Sequence, residues 1–133
     1  MEPAELAAAL VGDPAVAGIG VLALHGSRAR GEAGPTSDWD LAYLADDDPG
    51  ASPPDPATLV AAVTALLGTD AVDVVDLAAA SALLRFRVAR DGVLLVESRA
   101  GAFLDFRLEA VRYWCDAGPV IRAAQADVLA SLG

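Results

Sequence analysis

Apolar and polar positions along the chain change period several times, and each change marks an element. Between Gly20 and Gly26 the residues Val21, Leu22 and Leu24 form a short apolar run, so Ile19 to His25 reads as a buried strand. From Asp38 to Ala45 the period is two: Asp38, Asp40 and Ala42 fall on one face, Trp39, Leu41 and Tyr43 on the other. Val72 to Leu77 and Val93 to Glu97 predict a third and a fourth strand. Helical stretches separate them. Glu5 to Val11 is Ala-rich and stops at Gly12-Asp13-Pro14, and Pro56 to Leu67 starts on proline and ends at Gly68. Ala78 to Arg90 reads as helix, although Arg85-Phe86-Arg87-Val88 also suits an extended chain, and Asp91-Gly92 is a turn. Two closing helices, Ala102 to Cys115 and Pro119 to Leu132, are predicted to join at Asp116-Ala117-Gly118. Strands alternating with helices predict one α/β (α+β) domain over residues 1–133, with about four strands and helices covering at least one face of the sheet.

Charge narrows the function. The nine basic residues, all Arg, stand against nineteen acidic ones, for a formal net charge of −10. That balance argues against direct, sequence-independent binding of nucleic acid, which needs many basic side chains on phosphates, and against an anionic membrane surface. It does not exclude a small anion held at one local site. A single cysteine, Cys115, excludes an internal disulfide and a Cys-rich zinc site. The acidic start Met1-Glu2-Pro3-Ala4-Glu5 lacks the character of a secretory or transit peptide, and the uncharged run Pro14 to Ser27 is too short to span a bilayer. A soluble, cytoplasmic protein is expected.

The segment from Leu24 to Leu41 carries the chemistry. A strand stops at Gly26, where a missing side chain allows close approach of a ligand. Ser27 to Arg30 forms one helical turn with Ser27 as its expected N-cap, and the hydroxyl and free N–H groups there suit a phosphate. Arg28 and Arg30 add positive charge. After the loop from Gly31 to Thr36, Asp38 and Asp40 stand on one face of a strand, about 6–7 Å apart at Cα. Two such carboxylates repel unless a cation lies between them, and Mg²⁺ favours one or two carboxylates plus phosphate oxygens. The acidic run Asp46-Asp47-Asp48, set among prolines, reads as a solvated loop tip.

The string His25-Gly26-Ser27-Arg28-Ala29-Arg30-Gly31, followed by Ser37-Asp38-Trp39-Asp40-Leu41, resembles the signature of the polymerase beta-like nucleotidyltransferase superfamily. Within that superfamily it resembles the minimal nucleotidyltransferase (MNT) branch. Val72 to Leu77 resembles the strand of that family's third carboxylate, and Leu83 to Glu97 and Tyr113 to Pro119 are similar to MntA-type antitoxins. The resemblance implies a mixed sheet and a site for two Mg²⁺ ions on Asp38, Asp40 and Asp73. Gly26 and Ser27 would hold the triphosphate of ATP, with Arg28 and Arg30 as further nucleotide contacts. Asp73 and Asp76 have opposite parity on a regular strand, so one of them at most faces the metals. The family pattern favours Asp73 and leaves Asp76 as a strand-end or helix-capping residue. His25 stands where the branch often has an aromatic residue, and it reads as packing. Tyr113, Trp114 and Phe106 read as core or interface anchors. Arg85, Arg87 and Arg90 form a basic patch, either solvated or facing a partner's acidic surface.

A chain of this length leaves little to enclose a second substrate, so a macromolecular acceptor is expected. The acidic charge points to a protein. In the resembled family that protein is a HEPN-domain ribonuclease toxin, which receives AMP from ATP on a tyrosine hydroxyl. Two other readings stand beside this one: an antitoxin that neutralises by binding alone, and a small-molecule nucleotidyltransferase.

Overall fold

The computed structural model describes residues 1–132, without the side chains of 120, 121, 124, 125 and 132. Helix α1 (Pro3–Leu10) and a short 3-10 turn precede strand β1 (Ile19–His25). A single helical turn, α2 (Gly26–Ala29), and a loop lead to β2 (Trp39–Ala45). Then follow α3 (Pro56–Leu67), β3 (Val72–Asp76), α4 (Ala82–Asp91), β4 (Val93–Glu97) and α5 (Ala102–Leu132). The sheet has the order β3-β2-β1-β4. Strand β1 runs antiparallel to both β2 and β4, and β2 runs parallel to β3. The mixed four-stranded sheet expected from the sequence is present.

Helices cover both faces. On one, Leu22, Leu24, Trp39, Leu41 and Tyr43 meet Leu6 and Leu10 of α1 and Leu59 and Val63 of α3. On the other, the smaller Val21, Ala23 and Ala42 meet Val88 and Ala89 of α4 and Phe103, Phe106 and Ala110 of α5. The period-two reading of β2 is therefore correct: Trp39, Leu41 and Tyr43 share the first face, Ala42 the second. Helix α3 keeps its expected bounds because both ends are chemically marked. Asp55 accepts from the N–H groups of Ala57 and Thr58, and Gly68 closes the helix at φ +68°.

Several expected boundaries move. The two closing helices are one helix, with Pro119 inside it. Proline has no N–H for the carbonyl of Cys115, but Cys115 is exposed, so water can take that place. Ser27 is not the cap of α2: that helix already starts at Gly26, with His25 as its N-cap. The helix expected from Ala78 is split into a 3-10 turn at Leu77–Ala79 and α4, because Ser81 accepts from the Leu84 N–H and restarts the helix. Strand β2 starts at Trp39, so Asp38 lies one residue before it. Among the described residues no helix is long and apolar enough to cross a membrane.

Candidate active site

One end of the sheet gathers the motif. It is made by the C-terminal end of β1 and the N-terminal ends of β2 and β3. Gly26 turns the chain from β1 into α2 at φ +74°, a conformation that disfavours any side chain. A Cβ at this position would collide with a carboxylate oxygen of Asp40 and lie 3.2 Å from its Cγ. Gly26 thus serves twice, making the turn and leaving the space that Asp40 occupies. The first N–H groups of α2 have no intrahelical acceptor. Among the described residues the Ser27 hydroxyl has no hydrogen-bond partner either.

Register decides which carboxylates meet. Asp40 is opposite Asp73 on the parallel neighbour and opposite His25 on the antiparallel one. Val75 packs with the small-residue face and Val72 and Val74 with the other, so Asp73 shares the face of Ala42 and Asp40. His25, Asp40 and Asp73 therefore form one row across three strands, about 5 Å apart. Asp38 is exposed just before the row, Asp40 is half-buried and Asp73 is exposed. Asp76 falls on the opposite face, beside Tyr43. It caps the following turn by accepting from the Ala78 N–H at 2.9 Å. The Tyr43 phenol is pushed above its ordinary value, first by burial and then by the charge of Asp76.

The arginines of the motif are engaged elsewhere. Arg28 donates to the Ser37 carbonyl from Nε at 3.1 Å and from Nη2 at 2.7 Å. Its guanidinium rests 4.4 Å from the centroid of the Trp39 ring. Trp39 belongs to the large-residue face, so these contacts hold Arg28 on the loop, away from the Asp40–Asp73 row. Arg30 pairs with Glu32 at 3.0 Å. His25, read from sequence as packing, lies in the row, and its Nε2 is buried with no partner among the described residues. Its parity with Val21 and Ala23 was the sequence signal for that placement, hidden by a backbone irregularity between Ile19 and Val21.

Two adjacent like charges in a sheet are unfavourable, by about 0.8 kcal/mol at 5 Å even in water. Among the described residues none of Asp38, Asp40 and Asp73 has an ion-pair or hydrogen-bond partner from a side chain. No three Asp, Glu, His or Cys side chains among them converge closely enough to enclose a metal. This donor set fits a hard cation that takes one or two carboxylates and completes its shell with phosphate oxygens and water. It does not fit an all-protein cage.

A glycine-serine turn at one strand end, facing aspartates at the start of the next strand, defines a nucleotidyltransferase. Residues 15–100 match the family described as polymerase beta, nucleotidyltransferase, and the chain belongs to that family. The fold is that of the MNT antitoxins. A crystal structure of a toxin–antitoxin with AMP-PNP is similar at 27% identity and a TM-score of 0.70, covering 94% of this chain and 97% of that one. A tri-AMPylated Shewanella oneidensis HEPN toxin in complex with MNT antitoxin is similar in fold at 22% identity and a TM-score of 0.66, covering 96% and 98%. A variant of the toxin–antitoxin MntA–HpeT gives 23% identity and a TM-score of 0.70, covering 97% and 99%. No curated protein matches the chain in sequence.

Proposed function

We propose that the protein is an Mg²⁺-dependent protein adenylyltransferase. It moves AMP from ATP to a tyrosine hydroxyl of a partner HEPN ribonuclease toxin and so acts as the antitoxin. The observation that carries this reading is the register that sets Asp40 beside Asp73, with Gly26 leaving room for the Asp40 carboxylate. The nucleotide-bound and AMPylated assemblies among the similar structures support the choice of reaction.

Asp38, Asp40 and Asp73 would hold two Mg²⁺ ions, which supply positive charge to the entering oxygen and to the leaving phosphate. The Gly26 and Ser27 N–H groups and the Ser27 hydroxyl bind the β- and γ-phosphates and orient the α-phosphate toward the row. The tyrosine hydroxyl gives its proton to solvent water as its oxygen bonds to the α-phosphorus; the bond from the α-phosphorus to the bridging oxygen breaks, and pyrophosphate leaves with that electron pair. Asp73 is exposed, so an acceptor on another protein reaches it from solvent. The added AMP brings bulk and negative charge, which oppose RNA binding by the toxin.

The test is incubation with a HEPN-domain toxin, Mg²⁺ and α-labelled ATP. The expected result is label on a tyrosine of the partner. An unlabelled partner that still co-purifies would overturn transfer and leave neutralisation by binding. Label on a small acceptor instead would assign a small-molecule transferase.

A further inference from the structure

The groove between α4 and α5 reverses the character of the rest of the molecule. Its apolar floor includes Phe86, Leu104, Leu108 and Val111, its charged residues are Arg90, Arg107 and Arg112, and no acidic side chain lines it. Leu104 and Leu108 are 56% and 57% exposed and Val111 is 39% exposed. Their spacing of four and three places them on one stripe of α5. The chain as a whole carries −10, so an apolar strip bordered only by arginine is not its average surface. Arg90 pairs with Asp91 at 2.7 Å. Neither Arg107 nor Arg112 has a carboxylate partner among the described residues.

The groove is also held in shape. Phe86 stacks on Trp114 with centroids 5.3 Å apart. Arg107 donates from Nε to the Ala89 carbonyl at 2.8 Å, which fixes its stem along the rim. One end of the groove adjoins the reactive end of the sheet. Arg90 and Asp91 lead directly into β4, whose Val93 pairs with Leu24, next to His25. The Asp91 carboxyl lies below its ordinary value, chiefly through its hydrogen bond from Arg90, with a smaller contribution from Arg30 of the motif.

We propose that this groove docks an acidic, amphipathic helix of the protein that carries the acceptor hydroxyl. The apolar face of that helix lies on Leu104, Leu108 and Val111, and its carboxylates face Arg107 and Arg112. The identity of the partner rests on the transferase reading above; the mode of docking does not depend on catalysis. RNA or an anionic membrane would meet repulsion from the rest of a −10 surface, whereas an acidic helix needs only the local arginines.

The experiment measures affinity for the HEPN-domain toxin by titration calorimetry with wild type, Leu104→Glu/Leu108→Glu and Arg112→Glu. All three side chains are exposed, and thermal melts establish that the variants fold. Each variant is expected to weaken binding by about tenfold or more, and the Arg112→Glu complex to lose part of the salt dependence of the wild type. Wild-type affinity in both variants would overturn the docking while leaving the transferase reading intact. No binding by the wild type would overturn both. Sedimentation showing a wild-type dimer that Leu104→Glu/Leu108→Glu dissociates would assign the groove to a second copy. Anionic vesicles retaining the wild type but not Arg112→Glu would assign it to a membrane.

Discussion

The two faces of the sheet divide the work of the molecule. The face toward α1 and α3 is built from leucines and large aromatics, and Leu6, Leu10, Leu22, Leu24, Leu41 and Leu59 have no exposed surface. The face toward α4 and α5 puts Val21, Ala23 and Ala42 on the strands and lets Phe103 and Phe106 fill the space from the helix. That second face ends in His25, Asp40 and Asp73, where packing stops and polar groups begin. Large side chains on one face stabilise the domain. Small ones on the other let helices lie close without covering the carboxylates. Both parities of the strands pack a core, and the proposed chemistry uses only the one that ends in Asp40 and Asp73.

The sharpest way to break this division is to change one parity at a time. Asp40→Asn is expected to lower transfer by about 10²–10³-fold or more. Because it removes one of two repelling neighbours, the melting temperature should hold or rise; a clear loss of stability would mean Asp40 also supports the fold. Gly26→Ala should lose most activity as well, and it should also cost about 1–3 kcal/mol by denaturant titration, since φ +74° and the Asp40 carboxylate both oppose a Cβ. Leu41→Ala, on the large face, is expected to cost about 2–5 kcal/mol with transfer per folded molecule unchanged. Its neighbour in sequence gives the converse: Ala42→Leu overfills the small face, costs about 1–3 kcal/mol, and lowers activity by shifting the strand that carries Asp40.

The smallest effects come from the helix starts. Ser81→Ala removes the cap of α4 and should cost about 1 kcal/mol at any pH. Asp55 caps α3, and hydrogen bonds from Thr58 hold its carboxyl below the ordinary value. Its contribution is therefore complete above about pH 4 and is lost as pH falls through the depressed value. Urea titrations of Asp55→Ser against wild type should converge at low pH. A gap that persists below the depressed value would mean the cap acts without its charge.

The elements legible from sequence are those whose ends carry their own chemistry. Asp55, Pro56 and Gly68 mark α3, and Val93 to Glu97 follows directly on Gly92. The single long α5 was not legible, because Gly118-Pro119 reads locally as a stop signal, whereas the helix runs on with Pro119 inside it. In the site, the spacing from Ser27 to Asp38 and Asp40 could be read locally. The position of Asp73 could not, because it depends on the pairing of β2 with β3, a contact between distant parts of the chain. The role of Arg28 was hidden for a related reason: its partners are Ser37 and Trp39, visible only once the loop has closed.

Arg28 begins the motif loop on the phosphate side and grips it on the carboxylate side, at the residue before Asp38 and the residue after it. It is a strut across a hairpin whose two ends, in the proposed reaction, meet opposite parts of the same substrate. The interval between the glycine-serine turn and the aspartates is then a mechanical length as well as a chemical signature. Loops of other lengths could serve the same reaction wherever a different brace spans them, and the intact motif in another chain would not by itself guarantee the span.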